Sequence, residues 1–242
     1  MDSVLDLFEV FGYLFVVLAS LWAIWASSHV KQTFHRYSSQ RSRKGITAAE
    51  AAERVLRRAG VNDVRIASTS GNLTDHFDPR DNTVYLSETV HSSTSTAAIG
   101  VACHEAGHAI QHATGYFPIR LRSAIVPVTN IGSRLSMPLI LIGLFFGIYA
   151  ENGIGYEIAL LGVFCYSLCV LFQLVTLPAE YNASARAMSA LEESGILVGE
   201  ELQGARKTLN AAALTYVAAL AVSLVQFLRL LAIVTGGRRN NR

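Results

Sequence analysis

His104, Glu105 and His108, in the run His104-Glu105-Ala106-Gly107-His108, place two imidazoles and a carboxylate within little more than one turn of a helix. Residues four apart share a helix face, so the two rings can grip one divalent ion. Glu105 is rotated about 100° from His104, which sets its carboxylate beside an open metal position and off the metal itself. Such a set supports amide hydrolysis: zinc lowers the pKa of a bound water to about 7, and a carboxylate of ordinary pKa can then accept its proton. One Zn2+ per chain is the cofactor this reading requires. The flanking residues are Ala, Ile, Gly and Val, and burying imidazoles without partners is costly, which argues against solvated surface histidines. His112 continues the same face. It stands about 12 Å from His104 along a straight helix, too far to share the ion, and is expected beside the ligands or in solvent.

A catalytic zinc takes three protein ligands and keeps one position open. The metzincin pattern would need Gly at 111 and His at 114, where this chain has Gln111 and Thr114, so that class is excluded. In zincins with a glutamate ligand, the third ligand comes from a later helix. Glu180, in Leu177-Pro178-Ala179-Glu180-Tyr181-Asn182-Ala183-Ser184, is the candidate. Pro178 suits a first helical turn, and the positive dipole of a helix start would by itself account for an acid there. Asp75, Asp78, Glu192 and Glu193 compete, the last two resembling a solvated face ahead of a stop at Gly195. Asn182 and Ser184 can hydrogen-bond the second nitrogen of a ligating histidine, or simply cap and pack. His76 and Asp78 read as turn residues ahead of Pro79. The strand Thr83 to Ser87 is a candidate edge for pairing with an extended substrate.

The elements that must position these groups are mostly membrane helices. Hydrophobic residues make up 51% of the 242 and charged ones only 16%, against about a quarter charged in soluble domains. Four apolar stretches, 8–27, 135–150, 155–177 and 211–234, approach the roughly 20 residues that a helix needs to cross a bilayer. Trp22 and Trp25 suit the headgroup level, and the small residues of the fourth stretch suit close helix packing. The second contains Pro138, the third stops before Pro178, and Glu151-Asn152-Gly153 is expected to turn one into the other as a hairpin. Lys31, Arg36, Arg41, Arg43 and Lys44 crowd the exit of the first span, opposite Asp2, Asp6 and Glu9. The positive-inside rule therefore puts 28–134 in the cytoplasm. Arg186, Arg206 and Lys207 agree; Arg238, Arg239 and Arg242 fall outside, against the rule. The acidic start also reads as an uncleaved anchor and not as a signal peptide.

The organisation expected is an anchor at 1–27, a catalytic α+β domain at 28–134, a membrane hairpin at 135–177, a ligand-bearing helical region at 178–210, and a final membrane helix and tail at 211–242. Within the second of these, 47–59 has the Thr and Glu of a capping box and a Gly60 stop. Asp63 to Ser68 alternates as a strand, and Leu73 to Asp78 with Thr83 to Ser87 flank a turn as a hairpin. A helix over 95–113 is capped from Ser92 to Thr96 and ended by Gly115. Tyr116 to Arg134, broken by Pro118 and Pro127, is expected along the membrane surface. Net charge is +2 with cations spread along the chain, which argues against a nucleic-acid partner. Cys103, Cys165 and Cys169 lack the spacing of a disulfide framework and read as small apolar residues.

The stretches NLTDHFDPR with TVYLSE, VACHEAGHAIQHATGY, IRLRSAIVPVTNIGSRLS, FQLVTLPAEYNASARA and GARKTLNAAALTYVAA resemble the YugP-type family of bacterial membrane zinc metallopeptidases. The resemblance covers nearly all of the chain after the first span. It implies neutral, zinc-dependent peptidase activity with His104 and His108 as ligands, Glu105 as catalytic base and Glu180 carried over as third ligand. The expected fold is a mainly α multi-pass membrane protein of about four transmembrane helices with a small α+β zincin-like domain. The expected partners are a peptide or protein substrate and the lipid bilayer, with the site on the cytoplasmic side of the cell membrane. A site-2-type intramembrane protease would need an Asp-Gly dipeptide, absent here, and more than the seven or so apolar residues before His104. A catalytically idle zincin-fold scaffold or chaperone is the other rival, disfavoured by the intact His, Glu and His.

Overall fold

The computed structural model describes residues 2–147 and 153–239, and among these seven helices and three strands follow one another. The helices are α1 (Asp2–Ser38), α2 (Ala48–Arg58), α3 (Glu88–His91), α4 (Thr96–Ala113), α5 (Phe117–Phe145), α6 (Ile154–Glu193) and α7 (Glu200–Arg239). The strands are β1 (Arg65–Thr69), β2 (His76–Asp78) and β3 (Thr83–Ser87). Helices α1, α5, α6 and α7 are each long and apolar enough to cross a membrane. The molecule is thus a mainly α multi-pass protein with a small α+β part. Two compact units divide it: Met1–Trp25, Leu121–Thr176 and Tyr216–Arg242 form one, and Ala26–Arg120 with Leu177–Thr215 the other.

The first unit is built from apolar helix segments. Val10, Tyr13, Leu14, Val17, Leu18, Leu21 and Ile24 all lie exposed on α1, a face that water would penalise and lipid would not. Between α5 and α6 the backbones nearly touch: a Cβ added to Gly143 would stand 2.5 Å from the Gly155 carbonyl oxygen, and one on Gly162 would stand 2.8 Å from that of Ser136. Small residues permit this approach, and dispersion over the contact takes the place of the hydrophobic effect. The Arg229 guanidinium lies 3.7 Å from the centroid of the Tyr13 ring, with Gly12 leaving room for its stem. A cation in an apolar helix is thereby seated on an aromatic face.

Helix boundaries differ from the expectation at Pro127 and Pro178. Tyr116 to Arg134 is not a separate surface segment, because α5 runs through Pro127 and Pro138 in a single helix. Pro178 likewise lies inside α6 and opens no new helix. Each proline removes one backbone hydrogen bond, and a long helix supported by neighbours tolerates the loss. The final helix begins at Glu200, well before the apolar stretch. The hairpin turn expected at Glu151 and Asn152 lies outside the described residues, as do Arg242 and the side chains of Arg238 and Arg239.

The second unit has a soluble-type core. Thr47 caps α2 as expected, its hydroxyl accepting from the Glu50 amide at 3.2 Å while the Glu50 carboxylate accepts from the Thr47 amide at 2.7 Å. Ala51, Ala52, Val55 and Leu56 of α2 pack with Val84 and Leu86 of β3, Ile99, Cys103 and Ala106 of α4, and Leu191 and Leu197. Burial pushes the Cys103 thiol pKa up, which leaves it inert. The sheet order is β1-β3-β2, with β1 parallel and β2 antiparallel to β3. The hairpin of β2 and β3 is therefore present, but Thr83 to Ser87 is the central strand and not an edge. Both of its ladders are occupied, so β2 carries the open edge nearer α4, where the Phe77 ring lies 5.8 Å from that of His112.

Candidate metal centre

The position of α4 is set at its first turn. The Ser95 hydroxyl accepts from the Ala98 amide at 3.2 Å, supplying one of the hydrogen bonds that a helix start lacks. The Thr96 amide donates to the Gln40 carbonyl and the Ser42 amide to the Thr94 carbonyl, both at 2.8 Å. Buried Glu201 of α7 accepts from the Arg43 amide at 2.9 Å. Along its length α4 is flanked by small residues: a Cβ on Gly100 would meet Ala205 at 3.2 Å, and one on Gly107 would stand 2.6 Å from the Ala183 carbonyl oxygen. At Gly107, between the two histidines, the backbones of α4 and α6 come too close to admit a Cβ.

That approach brings the Glu180 carboxylate to both rings. Its Oε2 lies 3.2 Å from His104 Nε2 and 3.4 Å from His108 Nε2, and one ligand atom from each residue falls within 4.8 Å of the other two. Among the described residues no other group of His, Cys, Asp and Glu converges in this way. Tetrahedral zinc ligands at 2.0–2.1 Å from the ion stand about 3.3 Å from one another, and two imidazoles with a carboxylate are a zinc donor set. The rings meet edge to face, 4.7 Å between centroids. Glu180 is 2% exposed and His108 8%, so the point of convergence is largely screened from solvent.

Each ring is also held from behind. His104 Nδ1 lies 3.0 Å from the Ser184 hydroxyl, and His108 Nδ1 lies 3.0 Å from Gln111 Oε1. Gln111 spends both its N–H groups elsewhere, on the Ala179 carbonyl at 2.7 Å and on Asn182 Oδ1 at 3.0 Å. Its oxygen must therefore accept, His108 Nδ1 must donate, and the neutral ring presents its Nε2 lone pair to the convergence point. Arg186 closes the chain by donating to Asn182 Oδ1 at 2.8 Å. Burial opposes a charge on His108, yet the Glu180 and Glu105 carboxylates outweigh it and its pKa lies above the ordinary imidazole value. Positive charge is thus favoured where the three donors meet, and the residues present fit a zinc ion. Glu105, 9% exposed, stands outside the three-donor cluster while its charge still acts on His108.

A family model described as "Putative neutral zinc metallopeptidase" matches residues 12–235. The chain is also 43% identical over 230 residues to the "Putative membrane protease YugP" of Bacillus subtilis (strain 168), covering 95% of this chain and 99% of that protein. The chain belongs to the YugP-type family. No solved structure matches it.

For this YugP-type chain the other candidate ligands lie elsewhere. The Asp75 carboxylate accepts from the Ser87 amide at 2.8 Å and from the Ser87 hydroxyl, tying the loop before β2 to the end of β3. Asp78 pairs with Arg80 at 2.5 Å, Glu193 with Arg58 at 3.4 Å and Glu192 with Arg206 at 4.0 Å. His76 lies on β2, stacked on Tyr85, and is a strand residue where a turn residue was expected. Ser184 and Asn182 both join the network, but Asn182 reaches it only through Gln111. Gln111 itself was legible in the sequence only as a departure from the metzincin pattern. It lies one turn after His108 and is fully buried, a position where a polar side chain needs a partner. Gln111→Leu keeps the volume and removes the acceptor, so zinc affinity is expected to fall about 10- to 100-fold, read by competition with a fluorescent zinc chelator.

Proposed function

We propose that the protein is a membrane-embedded zinc metallopeptidase that hydrolyses peptide bonds, with zinc held by His104, His108 and Glu180 and with Glu105 as general base. The observation that carries this reading is the meeting of three donor atoms at one point, with a second buried carboxylate, Glu105, that is not among them. Zinc, when bound, supplies Lewis-acid polarisation of the scissile carbonyl and activation of water.

Glu105 accepts the proton of the attacking water and passes it to the leaving amine. Gln111 keeps His108 in one tautomer and Ser184 holds the His104 ring in orientation, so their Nε2 atoms need little reorganisation. The substrate is a peptide or protein segment in extended form. Strand β2 has an unpaired edge beside α4, and main-chain pairing along it would hold such a segment parallel to the metal centre. The distribution of Lys and Arg around α1 favours the cytoplasmic side for this machinery.

The test uses full-length protein in detergent micelles and an unstructured protein such as casein as substrate. Cleavage is expected to stop after dialysis against a chelator and to return with one equivalent of zinc. Cleavage that survives metal removal would overturn the proposal.

A further inference from the structure

We propose that a basic cavity lined by α1, α6 and α7 binds the phosphodiester headgroup of an acidic phospholipid. The cavity has a volume of about 560 Å³, and no acidic residue lines it. Its cationic groups are Arg36 of α1 and Lys207 of α7, and the imidazole of His29 also lines it. Arg36 and Lys207 both approach the ring of Tyr37, at 5.7 and 6.0 Å from its centroid. Two like charges are thus gathered at one aromatic ring from helices distant in sequence. Neither has a carboxylate within 4.0 Å among the described residues, whereas Arg43, Arg57, Arg58, Arg80 and Arg206 of the same unit each have one. An anion between the two cations would remove their repulsion and complete charge-assisted hydrogen bonds.

Phosphate chemistry fits the remaining lining. Thr33 and Asn210 supply neutral hydrogen-bonding groups, and Ala211, Ala213 and Leu214 supply an apolar wall, as an ester oxygen with a glycerol carbon would require. The place along the helices selects a lipid source. His29 follows Trp25 by one helical turn in α1, and Leu214 comes two residues before Tyr216 in α7. Indoles and phenols at the ends of apolar stretches mark the headgroup level. Basic side chains just beyond a membrane helix attract anionic lipid.

The experiment is native mass spectrometry of the full-length protein released from detergent after incubation with dioleoyl-phosphatidylglycerol, dioleoyl-phosphatidylcholine or inorganic phosphate. Wild-type protein is expected to retain one phosphatidylglycerol in preference to phosphatidylcholine. The double variant R36Q/K207Q is expected to lose that lipid by about tenfold or more. The control R57Q/R58Q removes the same charge from α2 and should bind as wild type, and unchanged zinc content and melting temperature establish that the variants are folded. Equal retention by R36Q/K207Q, or equal loss in the control, would overturn the site. Retention of inorganic phosphate with no retention of phosphatidylglycerol would overturn the lipid as its source.

Discussion

Glu105→Gln is expected to reduce peptide hydrolysis by about 10²- to 10⁴-fold, the usual contribution of a positioned general base, while the purified protein keeps its zinc. Glutamine preserves the shape of the side chain and cannot accept a proton. The metal should be retained because the donors that converge belong to His104, His108 and Glu180, with Glu105 outside that group. Loss of one negative charge acts on His108 only through space. Turnover of casein and zinc content, measured on the same preparation, check the two halves of the expectation. Normal turnover would refute the role of Glu105 as base; loss of zinc would show it to be a ligand.

Glu180→Ala has the opposite signature. Both Nε2 atoms face its Oε2, at 3.2 and 3.4 Å, so alanine removes the one group that the two rings share. Two imidazoles on one helix then remain, and zinc affinity is expected to fall by more than the roughly 100-fold that marks loss of an outer hydrogen-bond partner. Elemental analysis of the variant purified without added metal should find it nearly free of zinc, and hydrolysis should vanish with the ion. Full zinc occupancy in this variant would sink the assignment. The paired result separates holding the metal from using it, which neither substitution does alone.

Local chemistry was the legible part of this protein. The Thr47 and Glu50 capping box, the Ser95 cap and the histidine spacing each depend on residues within a few positions of one another, where helical geometry leaves little freedom. Glu180 could be named as a candidate, and the purely structural explanation for an acid at that position does not hold. Pro178 starts no helix, so Glu180 gains nothing from an N-terminal dipole; it is placed by the side-to-side contact of α4 and α6. Proline misled in the same way at Pro127, because the rule that it ends helices belongs to water, where a broken backbone group is readily solvated. Strand order was hidden for another reason. Thr83 to Ser87 has the same alternation whether it lies at an edge or in the middle, and only the parallel pairing with β1, across 70–82, decides. Gln111 was overlooked because its partners come from α6, some 70 residues away in sequence, and nothing near it announces them.

The bare backbone at Gly107 means that one blank in the His-Glu-blank-blank-His pattern is not blank in this molecule. A methyl group there would collide with the Ala183 carbonyl oxygen and wedge apart the two helices whose facing side chains bring the three donors together. A chain could keep both histidines and the glutamate between them, satisfy every letter of the signature, and still be unable to close its claw on an ion.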